Sequence, residues 1–197
     1  WLVDYLRSGG LPSCGSWEVY ARDGANAAEV VALMGAHIPN PAFSWDDLAK
    51  IRERWPHTLV LKGILAPDDA VRAKAAGVDG LQVSNHGGRQ LDRAPSALRM
   101  LPLIRQAVGP DMPLLIDGGV MRGADVAASL CLGADFVMVG RATLYGAIAA
   151  KRAGVAKVID ILNAELDMVM AQTGATDIAS LDSSLIVPSD CRCSGRS

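Results

Sequence analysis

Three side chains of this 197-residue sequence have the types and placement for proton transfer and anion binding: Lys62, His86 and Arg89. His86 and Arg89 lie in Ser84-Asn85-His86-Gly87-Gly88-Arg89-Gln90-Leu91-Asp92. An imidazole moves protons near neutral pH. A guanidinium grips a carboxylate through two parallel hydrogen bonds. Glycines let the backbone approach a ligand closely. The pair reads as a base beside a carboxylate clamp, one taking a proton while the other holds an anionic substrate still. Lys62 ends another apolar run. It stays open between a Schiff-base amine, a cation facing a cofactor and a snorkelling surface lysine. His57 and His37 read as structural histidines.

These residues need elements to place them. Apolar runs at 58–61, 80–83, 113–116 and 136–139 predict four strands. Helical patterns at 67–76, 96–108, 124–132 and 143–152 follow them in turn, and a longer helix is expected at 155–173. The strand ends Lys62, Ser84, Asp117 and Gly140 stand 22, 33 and 23 residues apart, so the unit recurs. Strands alternating with helices, without hairpins, predict an α/β fold with parallel strands covered on both faces. Two architectures compete: a doubly wound open sheet and part of a (β/α)8 barrel. Polar and glycine residues gather at the C-terminal end of every strand, the face that carries the site in a barrel.

Asp117-Gly118-Gly119 and Gly140-Arg141 both link a strand to a helix. Free backbone N–H groups and the helix dipole favour an anion at such a turn, and Arg141 adds a fork of donors. A single glycine pair would be ordinary turn chemistry. Two such loops in consecutive units predict a phosphate site.

The N-terminal region, residues 1–57, is less regular. Helices are expected at 1–7, stopped by Ser8-Gly9-Gly10-Leu11-Pro12, and at 27–34. Ser44 reads as the N-cap of a further helix, with Asp47 at the capping-box distance and Leu48, Ile51 and Trp55 on one face. A net charge of −2 without a basic run excludes a nucleic-acid surface. Cys14, Cys131, Cys191 and Cys193 make no disulfide framework. Cys131 reads as a buried small hydrophobe, and residues 188–197 as a disordered tail. No apolar run reaches the roughly 18 residues that a membrane span needs.

The run at 84–92 resembles the signature of the FMN-dependent α-hydroxy acid dehydrogenases and oxidases. The likeness extends through Leu61-Lys62-Gly63-Ile64-Leu65, Leu115-Ile116-Asp117-Gly118-Gly119, Gly140-Arg141-Ala142-Thr143-Leu144-Tyr145-Gly146 and Gln172-Thr173-Gly174, and covers residues 1–187. Within the family, the (S)-mandelate dehydrogenases look most similar and the L-lactate dehydrogenases next. The resemblance implies the C-terminal half of a (β/α)8 TIM barrel, strands 5–8, as a partial domain over 1–187. It implies oxidation of an (S)-2-hydroxy acid, with His86 as base and Arg89 binding the carboxylate. Lys62 would face the N1/O2 edge of FMN and stabilise its reduced, negative state, and Ser84 would touch the ring. Asp117, Gly118, Gly119, Val120, Met121, Gly140 and Arg141 would hold ribityl chain and phosphate. A homo-oligomer, by resemblance a tetramer, is implied, in the cytoplasm, with peripheral contact at the inner membrane left open.

Two departures carry expectations. The family reads Asp-Gly-Gly-Val-Arg-Arg-Gly where this chain has Asp117-Gly118-Gly119-Val120-Met121-Arg122-Gly123. Met121 replaces an arginine on the phosphate, so FMN should bind more weakly unless the Met121 N–H or the Arg122 side chain serves instead. The chain also starts at Trp1 and carries four units. The first half barrel, with the aspartate that orients the catalytic histidine, is expected elsewhere, in a longer protein or on a partner chain. The rival readings are a flavin-independent phosphate-binding barrel isomerase or aldolase, and an inactive half barrel acting only in assembly.

Overall fold

The computed structural model describes residues 15–187 except Pro39, together with Val3 and Arg7. The expected helix at 1–7 (apart from Val3 and Arg7), its stop at 8–12, Cys14, Cys191, Cys193 and the tail 188–197 lie outside the described residues. The chain forms two compact units, Trp1–Asp47 and Leu48–Ser197.

In the first unit, α1 (Gly15–Glu18) is a single turn. α2 (Ala27–His37) starts on Asn26, whose Oδ1 accepts the Glu29 N–H at 3.1 Å while Glu29 Oε2 accepts the Asn26 N–H at 2.8 Å. This reciprocal cap satisfies two otherwise orphaned donors. α2 runs past the expected end at 34, and Ile38 N–H closes it on Met34 O.

α3 (Trp45–Arg54) follows Ser44. Within the expected box, Asp47 Oδ2 accepts both the Ser44 N–H (3.0 Å) and its hydroxyl (2.8 Å). The expected apolar face is a single residue, since Leu48 is buried but Ile51 and Trp55 are exposed. Trp55 lies beyond the helix end. Its Nε1 donates to Thr58 O at 3.0 Å, and its ring meets the His57 ring edge-on at 5.1 Å.

The second unit is built on four parallel strands: β1 (Val60–Ile64), β2 (Gly80–Val83), β3 (Leu114–Ile116) and β4 (Phe136–Val137). Their order follows the chain. A doubly wound sheet would reverse order at a switch point, so the arrangement is that of part of a barrel. Helices α4 (Pro67–Ala75), α5 (Ala97–Val108), α6 (Gly123–Cys131) and α7 (Arg141–Thr173) connect and follow the strands. Leu81, Val83, Leu101, Ile104, Leu114 and Ile116 form the sealed centre of the core. Cys131 is buried as expected, and that burial raises its thiol pKa.

The strands correct two expectations. Only β2 is buried along its length; β1 is exposed at Val60, Lys62 and Gly63 and β4 at Phe136, and each of these two strands has one strand neighbour. β1 starts at Val60 rather than 58 and does not stop at the expected end, Lys62-Gly63. It continues to Ile64 through a bulge, with Lys62 opposite Gln82 and Ile64 opposite Val83. Gly63 is the extra residue, at φ +96°, a backbone geometry that glycine adopts without strain. β4 ends at Val137 rather than 139, although Met138 N–H still reaches Ile116 O at 2.8 Å.

The N-terminal side of the sheet is stapled twice in the same way. Arg52 donates to Gly77 O (3.1 Å) and Asp79 Oδ2 (2.8 Å), and that oxygen accepts the Leu59 N–H at 2.7 Å. Arg105 donates to Gly133 O (2.9 Å) and Asp135 Oδ2 (2.6 Å), and that oxygen accepts the Leu114 N–H at 2.7 Å. Each staple joins a helical arginine to a Gly-x-Asp just before a strand. α7 also differs from expectation: its helical geometry breaks at Ala150 and Lys151, not at 153–154.

Candidate active site

β2 delivers the central loop. Ser84 is buried just past its end, and the chain then enters a left-handed run: His86 (φ +57°), Gly87 (+67°) and Gly88 (+74°). Left-handed geometry costs a residue with a Cβ about 1–2 kcal/mol, so His86 must be held. Ser84 Oγ accepts the His86 N–H at 3.0 Å, Asn85 O accepts the Gly88 N–H at 3.0 Å, and Asn85 Nδ2 donates to Pro95 O at 3.3 Å. Asn85 also lies close against the neighbouring loop: a Cβ on Gly118 would stand 3.0 Å from Asn85 Oδ1. The His86 ring makes no hydrogen bond or ion pair with a carboxylate among the described residues, and both His86 and Arg89 are exposed.

Asp117 gathers three strand ends. Its Oδ1 accepts the Ser84 hydroxyl. Its Oδ2 accepts Gln82 Nε2 at 2.5 Å and faces Lys62 Nζ at 3.2 Å. Lys62 Nζ also reaches Ser84 Oγ at 3.3 Å. The Gly63 bulge thus leaves Lys62 in register with Gln82 and beside Ser84 and Asp117. The sequence reading placed Asp117 on a ligand but did not see this knot, and it missed Gln82. The signal was present, since Gln82 is the one polar side chain in β2.

An open cleft of about 520 Å³ lies over these groups. Every site residue named from the sequence lines it except Ser84, which lies beneath and borders a second cleft of about 370 Å³ shared with Lys62 and His86. Arg141 Nη2 approaches Gly87 O at 3.5 Å, so the last loop leans on the histidine loop.

The two helix starts expected to hold phosphate differ in how their donors are used. Met121 N–H and Arg122 N–H both donate to Asp125 Oδ2 (2.8 and 2.9 Å), and Gly123 N–H donates to Glu165 Oε2 (2.8 Å). Arg122 Nη1 pairs with Glu165 Oε1 at 2.7 Å. The Gly123 N–H, and then Arg122, hold the Glu165 carboxyl below its ordinary range, while Glu165 raises the Arg122 pKa. Neither substitute foreseen for the missing arginine is free: the Met121 N–H is taken, and Arg122 is drawn off to α7. The start of α7 is different. Gly140 carries no side-chain cap, and Arg141 stands in the first turn. Of the expected cofactor-binding groups, Arg141 at the start of α7 and the Lys62 ammonium are the cations that line the cleft and could hold an anionic flavin nucleotide.

Comparison with known proteins decides the family. The FMN-dependent dehydrogenase family matches residues 8–188. The chain belongs to this family. The L-lactate dehydrogenase of Ectopseudomonas mendocina (strain ymp) is 41% identical over 187 residues, covering 95% of this chain and 49% of that protein. The (S)-mandelate dehydrogenase of Pseudomonas putida is 40% identical over 181 residues, covering 92% of this chain and 44% of that protein. The crystal structure of the monotopic membrane protein (S)-mandelate dehydrogenase superimposes with a TM-score of 0.85 at 39% identity, covering 94% of this chain and 48% of that one. The chain thus spans about half the length of the relatives it matches. Both subgroups named from the sequence are represented at nearly equal identity. Among the described residues, no helix is long and apolar enough to cross a membrane.

Proposed function

We propose that this chain supplies the catalytic loop and much of the cofactor cleft of an FMN-dependent enzyme that oxidises an (S)-2-hydroxy acid, lactate- or mandelate-like, to the 2-oxo acid. The observation that carries this reading is the convergence of Lys62, His86, Arg89 and Asp117 on one cleft at the strand ends. FMN, when bound, supplies the two-electron acceptor. His86 removes the proton in oxidation of the α-hydroxyl group, through an imidazole whose loop Ser84 and Asn85 hold rigid. Arg89 holds the substrate carboxylate in a bidentate grip. Lys62 places a positive charge towards the flavin. Ser84, Gly118, Gly119, Val120 and Met121 border the cofactor, with Gly140 and Arg141 at its phosphate.

This reading includes strands 5–8 of a barrel, one domain over residues 1–187, completed by four further strand–helix units. The exposed side chains of Val60 on β1 and Phe136 on β4, and the half-length match to relatives, support it. Those units would bring the carboxylate that the His86 ring lacks here. Homo-oligomer formation, and a cytoplasmic location with peripheral membrane contact, rest on the family resemblance.

The test is anaerobic addition of L-lactate, (S)-mandelate or glycolate to the complete FMN-loaded protein. Bleaching of the visible flavin absorbance supports the reading, and His86→Ala should keep FMN yet stop the bleaching. A protein that takes up no FMN, or stays yellow with every 2-hydroxy acid, refutes it.

A further inference from the structure

We infer that Gln82 is a positioning residue that holds the Lys62 ammonium off Asp117 and keeps it available to the cleft. The inference rests on the proposed flavin site and concerns how that site is tuned.

The geometry is a competition for one oxygen. Gln82 Nε2 and Lys62 Nζ both address Asp117 Oδ2, the amide at 2.5 Å and the ammonium at 3.2 Å. The neutral donor has the close position, while the cation is ion-paired at a distance longer than the roughly 2.7–2.9 Å of a well-formed ammonium–carboxylate hydrogen bond. Gln82 is 9% exposed, and such a buried polar side chain needs a partner. Asp117 is that partner. Gln82 lies on β2 opposite Lys62 on β1, so its placement follows from strand register rather than from a mobile loop. It also lines the cleft.

The two donors act differently on the ligand. An amide stabilises a carboxylate without cancelling its charge, whereas an ammonium cancels it. With Gln82 on Oδ2, Asp117 is satisfied by Gln82 and Ser84, and the Lys62 charge is shared loosely. With an apolar residue at 82, Oδ2 is left to Lys62, which closes onto it. The cleft then loses positive potential where it faces the flavin. A reduced or adduct-bearing flavin carries negative charge, so its stability reads that potential directly.

The experiment uses the complete protein with Gln82→Leu, and Gln82→Met as a second variant that keeps more of the length should the first not fold. The readouts are the flavin midpoint potential and the sulfite dissociation constant, followed by loss of visible absorbance. Loss of Gln82 should lower the potential and raise the sulfite constant about tenfold, the scale on which a neighbouring opposite charge acts on an ionising group. In an Asp117→Asn background the same change should have no effect, because the competitor for Lys62 is gone. Unchanged values in the single variants, or an equal effect in both backgrounds, overturn the inference.

A second readout needs no flavin. Acylation of Lys62 by an amine-directed reagent, measured by mass spectrometry of the flavin-free protein, should slow several-fold in Gln82→Leu, because the tighter ion pair withholds the amine. A protein that binds no FMN but shows this slowing loses the flavin reading and keeps the inference. One that binds FMN but labels at the original rate does the reverse.

Discussion

Gly146 and Gly154 press backbone against backbone across the break in α7. A Cβ on Gly146 would stand 2.5 Å from Gly154 O, and one on Gly154 would overlap the Gly146 carbonyl oxygen. The chain can turn at Ala150-Lys151 and fold its second arm against its first only because neither contact residue has a side chain. Gly154→Ala should therefore destabilise the protein by about 1–3 kcal/mol, the usual cost of forcing atoms into a filled contact. Urea unfolding measures this, and a midpoint equal to that of the native protein would show that the arms are free to separate.

The Gly63 bulge sets the position of Lys62. Its φ of +96° lies where a Cβ is strained, although the space around it is open. Gly63→Ala should cost about 1–2 kcal/mol from backbone strain alone. A chain that instead relaxes the bulge would shift Lys62 out of register with Gln82. A titration of FMN fluorescence separates the outcomes, with weaker binding expected if the bulge relaxes and unaltered binding if strain is the whole effect.

Met121 should weaken the hold on FMN phosphate. Asp125 and Glu165 already occupy the donors around the start of α6, so nothing there replaces the family's arginine. Met121→Arg adds a charge-assisted bond and should raise FMN affinity by roughly ten- to hundredfold. Equal affinities of the two proteins would mean that the α7 end carries the phosphate by itself.

The staple at Asp79 predicts an acid limb. The Leu59 N–H, and then the Arg52 guanidinium, hold the Asp79 carboxyl below its ordinary value of 3.8. A lowered folded-state pKa means that the contribution is fully present above that value and is lost as pH falls through the folded one. Asp79→Asn should unfold at a lower urea concentration at neutral pH and lose less on acidification below about pH 4. A variant whose midpoint tracks that of the native protein across this range would remove Asp79 from the account.

Much of this was written locally in the sequence. Residues 84–92 are contiguous, so the histidine, the arginine and their glycines arrive together wherever the strand before them ends. Alternating apolar runs and capped helices gave the parallel α/β order, because strand and helix periodicities are properties of short windows. The tertiary structure decided what joins distant windows. Gln82 meets Asp117 across 35 residues, Glu165 closes Gly123 across 42, and Arg52 and Arg105 reach Asp79 and Asp135 across 27 and 30. These pairings depend on strand register, on the bulge at Gly63 and on close helix approach, none of which leaves a local period. His86 was therefore legible as a candidate base from its own neighbours. The charge balance at Lys62 and the closed start of α6 were not, because each is set by a carboxylate that only folding brings near.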